Sequence, residues 1–337
     1  MDHEETVRID ETVPTDETVP IDETVLIYET VHGSRAYGLD RAGSDVDLKG
    51  VIVGPKRWYF GFRGGPEQVE LAKAEGGAEG GGAEVEGVHF EVRKLLRLAA
   101  AANPTILELF FTEPEDHRVV TPAGERLLAA REGLLTRKVG DTFGGYALGQ
   151  LKRIRTHRRW LLSPPSGAPK REDFGLPERT LVPKDQLGAA EALMERGADV
   201  PLSGAFLELL AREKRYDAAK KEWRQYRQWK KKRNPKRAAL EKAHGYDTKH
   251  AMHLVRLQRM AIEILREGEV RVRRADREEL LAIRDGAWSY EALVEEAERN
   301  GEAIRAAKAE SALPESCDED ALEQLGVELV EDVLYGA

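Results

Sequence analysis

The stretch His32 to Val51, HGSRAYGLDRAGSDVDLKGV, constrains this chain more than any other, because it sets a Gly-Ser pair ahead of two aspartates, Asp45 and Asp47, spaced i and i+2. An apolar run, Val25-Leu26-Ile27-Tyr28, leads into Gly33-Ser34, and an imperfect alternation runs from Val46 to Val53. The pattern predicts strand, tight turn, short helix and strand. Residues two apart on a strand share a face, so Asp45 and Asp47 are expected to project side by side. Two converging carboxylates suit Mg²⁺, which takes hard oxygen ligands and completes its shell with water and substrate phosphate. Gly33 lets backbone approach a ligand closely, and a turn that opens a helix aims free N–H groups at an anion. The expectation is a phosphate cradle facing a metal pair.

Gly33, Ser34, Asp45 and Asp47 together resemble the signature of the nucleotidyltransferase superfamily of DNA polymerase beta. A closer resemblance is to a bacterial and phage branch of nucleotidyltransferases, some associated with RNA repair. It rests on four ordered blocks: Gly33 to Gly38 (GSRAYG), Ser44 to Val51 (SDVDLKGV), Asn103 to Phe110 (NPTILELF) and Gly245 to Leu257 (GYDTKHAMHLVRL). Gly-Ser with Asp-x-Asp alone is weakly specific, whereas four blocks in order are far more so.

The resemblance implies transfer of NMP from an NTP to a hydroxyl, with two Mg²⁺ ions bridged by Asp45 and Asp47 and the phosphates held at Gly33 and Ser34, with Arg35 assisting. It also implies a third carboxylate on a neighbouring strand. Glu91 is the candidate and Glu86 the alternative, although a glutamate at 91 also suits the first turn of the helix after it. In the distal block, Lys249, His253 and Arg256 fall at i, i+4 and i+7 on one helical face, a cationic stripe suited to a triphosphate, while Leu254, Leu257 and Met260 form an apolar face.

Of the 337 residues, 41% are hydrophobic, enough for a real core in one large or two modest domains. No apolar run is long enough to span a bilayer and the acidic N-terminus has no hydrophobic segment, so neither membrane span nor signal peptide is expected. The single cysteine, Cys317, favours a reducing cytoplasm. A net charge of −9 argues against uniform nucleic-acid affinity.

Along the chain, residues 4 to 31 repeat a six-residue acidic unit (DETVPT, DETVPI), so 1–23 is expected to be a solvated leader. Residues 54 to 62, GPKRWYFGF, form an aromatic, basic segment suited equally to a ligand or to local packing. Residues 63 to 88, rich in Gly, Ala and Glu, are expected to be a flexible loop. Asn103-Pro104 looks like an N-cap with proline at the first helical position. Helices are expected at 93–102, 124–131, 139–160, 188–196 and 203–212, with an irregular excursion at 163–185. From Arg212 to Lys242 the chain is strongly basic with Tyr216, Trp223, Tyr226 and Trp229 interleaved, a composition that fits RNA, while the same aromatics at helical spacing also fit a packed stripe. EVRVRR at 269–274 is strand-like, and the acidic C-terminus is expected to form a helix covering the sheet.

The fold expected is α+β: a small mixed-sheet, polymerase beta-like core at 24–120 carrying Asp45, Asp47 and Glu91, then a largely helical domain at 121–337. The acceptor expected is an RNA end such as that of tRNA. The alternatives are a protein or small-molecule acceptor, or an inactive nucleotide- or RNA-binding module.

Overall fold

A computed structural model describes residues 23–75, 84–180, 204–233 and 235–336. Five strands, β1 (Val25–His32), β2 (Val46–Val53), β3 (Gln68–Glu75), β4 (Glu84–Glu91) and β5 (His117–Val120), form one mixed sheet in the order β3-β4-β2-β1-β5. Only β2 and β4 run parallel; the other neighbours are antiparallel. The apolar run that opens β1 explains its central place: Ile27 and Tyr28 are fully buried, as are Val51, Ile52 and Val53 of β2 beside it.

Helix α1 (Gly33–Ala36) is a single turn between β1 and β2. Helix α2 (Lys56–Phe60) sits in the aromatic segment, with Trp58 buried against Gly54 and Gly65, and with Phe60 and Phe62 exposed. Helix α3 (Val92–Ala100) follows β4, and α4 (Pro104–Phe110) starts as its sequence dictates, with the Asn103 side chain accepting from the N–H groups of Thr105 and Ile106. Helices α5 (Pro122–Ala129) and α6 (Lys138–Leu162) come next. Beyond the irregular residues 163–180 lie α7 (Gly204–Lys232), α8 (Pro235–His244), α9 (Thr248–Glu267), α10 (Arg277–Arg284), α11 (Tyr290–Glu310) and α12 (Glu319–Tyr335).

Several expectations change. Residues 68–75 and 84–88, expected as loop, are strands of a β3–β4 antiparallel pair. The 203–212 helix is the beginning of the 29-residue α7, which runs unbroken through the basic stretch. EVRVRR pairs with no strand; Arg274 instead turns inward and binds Glu263 through two nitrogens at 2.7 Å. The helix expected at 188–196 and the leader at 1–22 lie outside the described residues.

The chain divides into two compact units: His250–Ala337 groups with the sheet and the residues up to Leu151, and Lys152–Lys249 forms the other. In the first unit, α12 packs on α3 closely enough that a Cβ on Gly326 would meet Leu96. No helix among the described residues is long and apolar enough to cross a membrane.

Candidate active site

β1 ends at His32, and Gly33 turns the chain with φ +66°, a conformation that strains any residue bearing a Cβ. His32 pairs with Asp47 across the β1–β2 ladder, which brings the Asp47 side chain against the turn. A Cβ on Gly33 would lie 2.0 Å from Asp47 Oδ2, so the space is closed to a side chain as well. Asp45 stands exposed at the residue before β2, and Asp47 is half-buried inside the strand.

Arg35 straps the entry to β2. Its Nη2 donates to the Ser44 carbonyl at 2.9 Å and its Nε to the Asp45 carbonyl at 3.3 Å. The guanidinium therefore holds the backbone that carries the first aspartate.

The β2–β4 register pairs Asp47 with Glu86 and Ile52 with Glu91. Paired residues on parallel strands face the same side, so Glu86 stands beside Asp47. Glu91 lies five positions further on, about 16 Å along the strand, and an odd offset turns it to the other face. Its buried carboxylate is taken up elsewhere: it caps α3, accepting from the N–H groups of Arg93 (3.1 Å) and Lys94 (3.4 Å), from Arg93 Nε (3.1 Å) and from the Tyr59 hydroxyl (3.1 Å). Burial and Glu91 together push the Tyr59 hydroxyl well above its usual range. The register thus sets Glu86, the alternative read from the sequence, beside Asp47, while Glu91 serves as the cap of the helix that follows it.

Residues 6–161 match a family model, RlaP, described as the RNA repair pathway DNA polymerase beta family. This part of the chain is thus similar to the polymerase beta-like nucleotidyltransferases of RNA-repair type. No curated protein and no solved structure matches the chain.

Behind the turn of this polymerase beta-like sheet lies a buried ion pair that sequence reasoning missed. Glu108 of α4 accepts from Arg256 Nη1 at 2.6 Å and from the Tyr37 hydroxyl at 2.5 Å, and lies 3.6 Å from His32 Nε2. All four residues are buried, and the Arg256 guanidinium stacks over the Tyr37 ring at 3.8 Å. Burial alone would raise the Glu108 carboxyl, but Arg256, then His32 and the Tyr37 hydrogen bond, hold it below the ordinary carboxylate range. Burial drives His32 down to about 4 against the pull of Glu108, so the imidazole is neutral at pH 7. Tyr37, Glu108 and Arg256 come from three of the four blocks that carry the family resemblance, and a shared buried network is one physical reason for those blocks.

Arg256 is thus committed to Glu108 and withdrawn from the cationic stripe expected on α9. Lys249 and His253 lie on the first turns of that helix, half-buried and engaged with neighbours. A different cation lies near Asp47. Lys49 sits two residues beyond Asp47 on the same face of β2, and burial lowers its ammonium against the opposing pull of Asp47 and Glu108. The spacing Asp45, Asp47, Lys49 was the signal in the sequence that could have found it.

In the other unit, His157, Glu241 and Asp247 place one ligand atom each within 4.8 Å of one another. Arg233 Nε already donates to Glu241 at 2.5 Å, so a protein cation balances these acids.

Proposed function

We propose that this chain is a divalent-metal-dependent nucleotidyltransferase that moves a nucleoside monophosphate from an NTP to a hydroxyl at an RNA end. The observation that carries the reading is the Asp47 carboxylate lying where a Gly33 side chain would be, with Glu86 beside it on β4 and Asp45 exposed at the strand entry. The donor set fits a hard cation: three carboxylates, oxygen only, at the edge of a glycine turn with no Cβ to exclude phosphate. Bound there, a divalent ion would neutralise the triphosphate and make the acceptor hydroxyl more acidic.

The protein's own part is to hold and to position. Asp45 and Asp47 would carry the metal, with Arg35 fixing the backbone of the first. Gly33 admits the β- and γ-phosphates close to the main chain, where Ser34 offers an N–H and a hydroxyl. Glu86 would orient the acceptor hydroxyl and take its proton as the acceptor oxygen bonds to the α-phosphorus and the bond to pyrophosphate breaks. Lys49, on the same face, would meet negative charge as it builds on the phosphates.

RNA is favoured as acceptor by charge. Residues 152–249 hold 25 Lys and Arg against 13 Asp and Glu, a net of +12, while the rest of the chain holds 27 against 48, a net of −21. A small acceptor needs no such asymmetry, whereas phosphate-dense RNA rewards it. The test is incubation of the chain with each labelled NTP, Mg²⁺ and total cellular RNA, followed by sequencing of the RNA ends. Added nucleotides that disappear with Asp47→Asn are expected. Transfer that survives Asp47→Asn overturns the catalytic assignment, and transfer to protein or small molecules alone overturns the acceptor.

A further inference from the structure

The unit Lys152–Lys249 contains a groove of about 400 Å³ between the C-terminal half of α6 and the C-terminal end of α7, a volume in the range of small-ligand sites. Its floor is aromatic. His157 stacks on Trp160 with ring centroids 5.6 Å apart and planes 26° apart, and Trp229 joins both at 5.4 and 5.5 Å. Trp160 is buried and its indole N–H donates to Glu222, so it is fixed; Trp229 is half-buried and backed by the Arg233 guanidinium at 4.6 Å. The rim is basic and exposed: Lys152 and Arg153 from α6, Lys232 from α7.

The stripe of aromatics on α7 was open to two readings, packing or ligand. The structure divides it: Tyr226 and Trp229 pack on Trp160, and the part of Trp229 left uncovered opens into the groove. The acids beside this floor have cations of their own: Glu222, which accepts from the Trp160 indole, is paired with Arg159 at 2.5 Å, and Glu241, which with Asp247 lies near His157, is paired with Arg233, so the rim's positive charge is not spent on Glu222 or Glu241.

We propose that this groove binds single-stranded RNA, with an unpaired base lying on the Trp229 and His157 faces and the flanking phosphates on Lys152, Arg153 and Lys232. The inference rests on the RNA reading above for the kind of strand, and adds the place and the mode of binding. Aromatic faces accept any base, and cations on the rim track a backbone, so recognition here is tolerant of sequence but demands an unpaired strand. A duplex keeps its bases stacked on one another and has none to offer the floor.

The experiment is fluorescence anisotropy of an end-labelled oligouridine with the full chain, without NTP, over a series of salt concentrations. Replacing the three exposed cations together (Lys152→Gln, Arg153→Gln, Lys232→Gln) should lower the slope of log K against log salt by about 2, at ~0.7 per lost phosphate contact on a single strand. Wild type should accordingly lose about 20-fold more affinity than this variant between 50 and 200 mM salt. Trp229→Leu should weaken binding roughly 5- to 150-fold, the range of one stacked base. Because that substitution disturbs packing, the charge variant, altered only at exposed positions, is the deciding one. An unchanged affinity and slope in the triple variant overturns the proposal, as does blunt duplex RNA binding as tightly as the single strand. A chain that binds the strand in this groove yet transfers no nucleotide overturns the function proposed above and leaves the groove standing. Transfer to RNA by a triple variant with unaltered binding overturns the groove alone.

Discussion

Replacing Glu108 with leucine tests the buried network behind the active-site turn. Glu108 and Arg256 are 2% and 4% exposed, and the carboxylate is the acceptor for both Arg256 and Tyr37. Removing it leaves a guanidinium charge without its counter-ion in the core, a loss of about 3–5 kcal/mol. For a unit of this size, at about 2–4 °C per kcal/mol, the melting temperature should fall by about 6–20 °C. Removing the charge from both partners, Glu108→Leu with Arg256→Met, should restore much of that stability, because no buried ion then remains. The assay is a double-mutant cycle by urea or thermal unfolding. The expected coupling between the two positions is at least about 2 kcal/mol, within the range seen for residues in contact. A single Glu108→Leu variant within about 1 kcal/mol of wild type, or a double variant no better than the single, would refute the reasoning, since 1 kcal/mol is an ordinary mutational effect.

Gly33→Ala should depress metal-dependent transfer by 100-fold or more, at a stability loss of only about 1–2 kcal/mol from the left-handed backbone, because the new methyl group displaces the Asp47 carboxylate; kinetics alongside urea melts separate the two effects. Glu86→Gln should abolish transfer with the fold intact. Glu91→Gln should cost about 1 kcal/mol of α3 capping and leave Mn²⁺ affinity unchanged, which isothermal titration of both variants checks. The folded-state values of His32 and Glu108 are both depressed, so their contribution to stability is complete above pH 6.5 and is lost as pH falls. Between pH 6.5 and 4 the His32 share amounts to about 3 kcal/mol. Urea midpoints for wild type and His32→Gln across that window should converge toward acid.

What the sequence made legible was local. The apolar run into Gly33, the alternation from Val46 and the Asn103-Pro104 cap each depend on neighbours within a few residues, and each stands where expected; of the two aspartates, Asp47 lies in the strand and Asp45 just before it. What it hid was set at a distance. The choice between Glu86 and Glu91 belongs to the β2–β4 register, which brings together residues some 40 apart in the chain, as any non-local pairing does. The β3 strand was masked by the Gly, Ala and Glu around it, although Val69 and Leu71 alternate with Glu70. Arg256 shares a helical face with Lys249 and His253, so periodicity grouped them; its fate was decided by Glu108, 148 residues away. A charged side chain that looks surface-bound from its helix can be drawn inward by a single buried partner. The surplus of positive charge in 152–249, by contrast, needs no structure at all to be counted.

The account stands most directly on the metal centre. Electron paramagnetic resonance of Mn²⁺, titrated into the chain with a non-hydrolysable NTP analogue, reads the number of bound ions and their dependence on each carboxylate. Two ions are expected, bound together only when nucleotide is present, lost in Asp45→Asn, Asp47→Asn and Glu86→Gln, and kept in Glu91→Gln. Mn²⁺ that binds equally well to Asp47→Asn, or fails to respond to nucleotide, would contradict the placing of the reaction at the Gly33 turn.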